Sequence, residues 1–152
     1  MFPFNPGMMD DMASLPVSTP HVGAVELHRW VLDSYDGLRG LRASLHRAIA
    51  DGAVSEPDRL DDVFDRMAVV ATELATNALR HGLPPTLVRL LREGDHLILD
   101  VADHDLDAPP QLVEDRPLGA GGLGLHLTQT FAVDIGWYTT DSTKHVWASF
   151  PG

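Results

Sequence analysis

A chain of 152 residues with 11 Lys and Arg against 22 Asp and Glu, formal net charge −11, can bury one real core but is too acidic to be a general binder of nucleic acid. The absence of cysteine excludes disulfides, thiolate catalysis and thiolate-bound zinc, and fits a reducing interior such as the cytoplasm. No apolar run approaches the ~18 residues of a membrane span, and Met1-Phe2-Pro3-Phe4 lacks the basic region and apolar core of a signal peptide, so neither membrane contact nor export is expected.

Residues 1–20 carry Pro3, Pro6, Pro16 and Pro20 without apolar periodicity, which predicts a disordered tail, or an arm that contacts a partner, ahead of a single domain over 21–152. Val22 to Val31 reads as a strand with imperfect alternation. Asp33 to Gly37 supplies a turn and capping residues. Leu38, Leu41, Leu45 and Ile49 then repeat at helical spacing as far as Asp51-Gly52. Arg39, Arg42 and Arg47 fall outside that stripe, as a solvated face or a partner surface.

The longest periodic stretch opens with Ser55-Glu56-Pro57-Asp58, an N-cap, a first-turn proline and an acid three residues on. Leu60, Val63, Phe64, Met67, Val70, Ala71, Leu74, Ala75, Ala78 and Leu79 predict one amphipathic helix over 56–81, stopped by Gly82 and Pro84-Pro85. Near its end Glu73, Asn77 and Arg80 share a face, with His81 one step round. A carboxylate and an amide so placed can set one group by an attacking hydroxyl and the other by a metal. The same spacing also suits an ordinary solvated face.

Thr86–Arg92 and His96–Ala102 predict an antiparallel hairpin about Glu93-Gly94-Asp95. Asp103-His104-Asp105 follows directly, where a rigid edge can aim a side chain into a pocket. The aperiodic stretch 106–119, with Pro109-Pro110 and Pro117, is long enough for a lid. Gly119-Ala120-Gly121-Gly122-Leu123-Gly124 closes it and opens a further helix through Leu127 and Phe131. Glycines at a helix start leave backbone N–H groups for phosphate, although flexible glycine loops are common. Val133–Thr139 and Lys144–Phe150 predict two last strands about Asp141-Ser142-Thr143. Trp30, Trp137 and Trp147 are expected in core or edge packing. The eight histidines form no His-x-x-His or His-Glu-x-x-His pattern, so no dedicated histidine metal site is expected. Helices over one face of a mixed, mostly antiparallel sheet, a two-layer α/β sandwich, is the natural solution.

Three blocks now stand in order: Glu73-Leu74-Ala75-Thr76-Asn77-Ala78-Leu79-Arg80-His81-Gly82, then Val101-Ala102-Asp103, then Gly119-Ala120-Gly121-Gly122-Leu123-Gly124-Leu125. Together they resemble the histidine-kinase/gyrase/Hsp90-type ATP-binding domain over roughly residues 22–150. Within it they look most like the compact anti-sigma-factor serine/threonine kinases of actinobacteria. Lys144-His145-Val146-Trp147-Ala148 also looks like the last strand of these relatives. The resemblance implies a Bergerat-type ATP-binding fold with ATP and Mg²⁺ as cofactors. It implies that Asn77 holds Mg²⁺ against the phosphates, Glu73 acts as general base, and Asp103 accepts from the adenine amino group. Gly121, Gly122, Leu123 and Gly124 would close over the phosphates, with Arg80 and His81 on the phosphate side.

The implied partners are a sigma factor, a small antagonist protein that is phosphorylated, and a second copy in a homodimer, with no direct nucleic acid. Two departures bear on this. His104-Asp105-Leu106-Asp107 lacks the Asp-x-Gly-x-Gly glycines of many relatives. Ala120 stands where anti-sigma kinases often carry an arginine that contacts phosphate, and Arg116 is the nearest substitute in the chain. These departures favour the alternative, a non-catalytic ATP-binding or protein-interaction module that regulates transcription or signalling.

Overall fold

Residues 17–19, 23–53, 60–107 and 131–151 are described in a computed structural model of the chain. They contain strand β1 (Val25–Leu32), helix α1 (Gly37–Ala48) with a π-turn over Ile49–Ala53, and helix α2 (Leu60–His81). Strands β2 (Thr86–Glu93), β3 (His96–Asp103), β4 (Asp134–Thr139) and β5 (Lys144–Pro151) complete the set. The sheet runs β1-β2-β3-β5-β4, with every neighbouring pair antiparallel. Among the described residues, parallel pairing is confined to an isolated bridge between Val17 and Trp137.

The helices form the second layer, and periodicity explains why. Leu41, Leu45 and Ile49 from α1 and Val63, Met67, Val70, Ala71, Leu74 and Ala75 from α2 are buried in one core. Opposite them lie Val88 and Leu90 of β2, Leu97, Leu99 and Val101 of β3, and Ala148 and Phe150 of β5, each two apart on its strand. This is a mixed α/β sandwich with its helices on one face, of the Bergerat type. Trp30 Nε1 donates to Ser44 Oγ at 2.7 Å and ties β1 to α1. Arg39, Arg42 and Arg47 are exposed, and the Arg42 guanidinium lies 5.3 Å over the Phe64 ring.

Local chemistry accounts for most element ends. Gly94, at φ +57°, occupies the first place of a two-residue hairpin loop, where a type II′ turn wants glycine. His46 and Arg47 sit in the last turn of α1, where the helix dipole favours positive charge. Asp36, expected among the capping residues, takes the N-cap place in helical geometry and makes no side-chain cap bond. The imperfect alternation of the first strand has a structural cause. A bulge between Glu26 and His28 inserts Leu27, so Glu26 faces Leu91 while His28 faces Leu90.

The face turned away from the helices is not bare. Leu91, Ile98 and Trp147 are buried there, with Ala24 and Tyr138 packed against them. Ser18 N–H donates to the Trp137 carbonyl at 2.8 Å, and Trp147 Nε1 donates to the Ser18 carbonyl at 2.5 Å. Of the expected N-terminal tail, only 17–19 lie among the described residues, and they run alongside β4. The cap expected at Ser55-Glu56-Pro57-Asp58 and the helix expected before Phe131 lie outside them, apart from Phe131 itself, which is helical.

Candidate functional site

The site begins where α2 ends. Leu74 and Ala75 turn into the core, which leaves Glu73 and Asn77 partly buried one turn apart, with Arg80 and His81 exposed in the last turn. Asn77 is the informative side chain. Its Oδ1 and Nδ2 are both buried and neither has a hydrogen-bond partner among the described residues. A buried amide left so costs about 1–3 kcal/mol, and native proteins rarely keep one without a ligand, water or ion to complete it.

Gly82 then ends the helix, its N–H donating to the Ala78 carbonyl at 2.9 Å. A Cβ at this position would stand 2.5 Å from Asp103 Oδ2 and 2.7 Å from the Ala78 carbonyl. Glycine is required because the Asp103 carboxylate lies directly on the chain there. One residue on, His104 N–H donates to the Leu83 carbonyl at 3.0 Å. The end of α2 and the end of β3 are therefore pinned together, which brings the Asn77 turn and Asp103 to one end of the molecule.

Asp103 is the last residue of β3, where the sequence placed it just beyond the strand; pairing with Lys144 on β5 carries the ladder one step further. It is 4% exposed, with Lys144 Nζ 3.6 Å from its Oδ2. Its Oδ1 accepts the Asp105 N–H at 2.7 Å, and Asp105 Oδ1 accepts the Asp107 N–H at 3.1 Å. Two successive Asx turns thus bend the chain just past the strand end.

A second polar group crosses the opposite face of the sheet. Asp100 is fully buried; Tyr138 Oη donates to its Oδ2 at 2.9 Å, and His145 Nδ1 lies 2.7 Å from its Oδ1. Arg89 Nη2 is 3.3 Å from both Asp100 Oδ2 and Tyr138 Oη, and Arg89 Nη1 is 3.6 Å from Glu26 on the edge strand. With Asp100 accepting from Nδ1–H, His145 Nε2 accepts from the Thr143 hydroxyl at 2.8 Å. The Tyr138 and His145 rings stack at 4.5 Å. Burial, then the negative charge of Asp100, pushes the Tyr138 hydroxyl above the ordinary tyrosine range. Glu26 is held below the usual carboxylate range, chiefly by its hydrogen bond from Arg29.

Sequence reasoning missed this group and the burial of Lys144. Lys144 had one legible signal, its place on the same alternation as Val146, Ala148 and Phe150. Asp100 had none, since alternation alone does not say which outward polar residue will find partners. Gly121, Gly122, Leu123 and Gly124, expected over the phosphates, lie outside the described residues, as do Arg116 and Ala120. No described helix is long and apolar enough to cross a membrane.

The described residues thus form a helix-covered antiparallel sheet in which an asparagine-bearing helix end is pinned against a strand-end aspartate. The family described as the histidine kinase-like ATPase domain matches residues 33–150, and the chain belongs to that family. It is an ATP-binding module of that fold. A comparison with curated proteins found no match.

Proposed function

We propose that this chain is an ATP- and Mg²⁺-dependent regulator of the anti-sigma-factor kinase type, acting on a serine or threonine of a small antagonist protein. The observation that carries the proposal is the Asn77 amide, buried and unpartnered among the described residues one turn beyond Glu73. Mg²⁺ prefers oxygen ligands and keeps several waters, so the Asn77 oxygen and the nucleotide phosphates fit it, and it supplies charge neutralisation when bound.

The residues divide the work. Asp103, fixed on Gly82 and by the Asp105 N–H, accepts from the exocyclic amine of adenine. Glu73 takes the proton of the attacking hydroxyl as the new O–P bond forms and the bond from Pγ to the β-phosphate oxygen breaks, releasing ADP. Arg80 and His81, exposed in the last turn of α2, lie on the phosphate side. A sigma factor held in a nucleotide-dependent way and a homodimeric state belong to the same reading.

Ala120 favours a second reading, a non-catalytic ATP-binding module that works through protein contacts. Glu73→Ala separates the two. On the kinase reading it retains ATP binding and loses phosphotransfer to small serine-bearing proteins encoded beside its gene by about 10²-fold or more. If the parent chain binds ATP but labels no genuine partner, the module reading stands instead.

A further inference from the structure

Two apolar rows that face the helices end in charge at the same place. Leu97, Leu99 and Val101 of β3 lead to Asp103, and Phe150, Ala148 and Val146 of β5 lead to Lys144. The two charged residues are direct cross-strand partners, with side chains only 6% and 7% exposed. An ammonium taken this far out of water is costly, and an apolar residue here would continue the row without that cost. Asp103 cannot withdraw, because Gly82 lies against it and Asp105 N–H holds its Oδ1. At 3.6 Å the contact with Lys144 is an ion pair longer than a hydrogen bond, so Oδ2 still has acceptor capacity facing the pair. Lys144 carries three donors where Asp103 has acceptors only.

We propose that Lys144 is a base-reading residue beside Asp103, an inference that rests on the ATP reading above. The Watson–Crick edge of adenine offers a donor, the exocyclic amine, next to an acceptor, ring nitrogen N1. A carboxylate beside an ammonium is the complement of that edge: Asp103 accepts from the amine and Lys144 donates to N1. Asp103 alone would read the amine and ignore the ring nitrogen.

The test compares ATP with 1-deaza-ATP, which keeps the amine but replaces N1 by C–H, by calorimetric titration of the full chain and of Lys144→Met. The parent binds 1-deaza-ATP about tenfold more weakly than ATP, as expected for a lost charge-assisted hydrogen bond. Lys144→Met weakens ATP and abolishes the difference between the two nucleotides. A lysine that only neutralises Asp103 would lower both affinities together. Equal affinities in the parent, or an undiminished gap in the variant, overturn the proposal. The parent comparison needs no substitution, so the proposal stays testable should the methionine variant, checked by circular dichroism, fail to fold. Saturable ATP binding without a gap removes the Lys144 role alone; no ATP binding removes the ATP reading and this one together.

Discussion

Asn77, the residue proposed to hold Mg²⁺, is at odds with the stability of its own fold. Its amide gains nothing from its surroundings among the described residues, so an apolar side chain of similar volume should be tolerated or preferred. Asn77→Leu is therefore expected to melt within about 1 kcal/mol of the parent, or above it, by thermal denaturation. A fall of several kcal/mol would mean that the amide has structural partners after all.

Tyr138 allows a pH prediction. Its phenol is neutral in the fold, raised above 10.0 by burial and by Asp100, whereas the unfolded phenol ionises near 10.0. Above that pH the folded state holds a proton that the unfolded state has lost, so stability falls as pH rises and is unaffected by this group below it. Tyr138→Phe should flatten the loss of stability above pH 10.0 in denaturant titrations. An unchanged slope would show that Tyr138 ionises alike in both states.

At the scale of elements, the junction of α2 with β3 decides whether the site exists. Gly82→Ala would force its methyl into the Asp103 carboxylate and the Ala78 carbonyl, and is expected to cost about 1–3 kcal/mol in urea denaturation and to weaken ATP binding with it. Normal stability and affinity would show that the two ends need not touch.

The elements themselves were legible wherever one side of a segment is buried. The stripe from Val63 to Leu79 predicts α2, and Glu93-Gly94-Asp95 predicts the hairpin, because each rests on local periodicity or turn chemistry. The first strand was harder to read, since the bulge at Leu27 breaks its alternation and most of its residues are exposed. Glu73, Asn77 and Asp103 were legible as chemistry on a helix face and at a strand end. The packing of Asp103 on Gly82 was not, because it depends on how two ends distant in sequence meet. Lys144 and Asp100 were missed for a related reason: each owes its burial to a partner on another strand.

At the scale of the whole molecule, charge constrains what can bind. The chain carries −11 and ATP adds several more negative charges, so binding without a divalent cation would work against Coulomb repulsion. Arg39, Arg42 and Arg47 of α1 are exposed cations on this acidic chain.

The most direct test is a calorimetric titration of ATP into the full chain, with and without Mg²⁺, alongside Asn77→Leu. The account predicts saturable binding that weakens at least about tenfold when Mg²⁺ is removed, and a similar loss in the variant with Mg²⁺ present. Folded parent protein that takes up no ATP, or binding indifferent to both Mg²⁺ and Asn77, would contradict it.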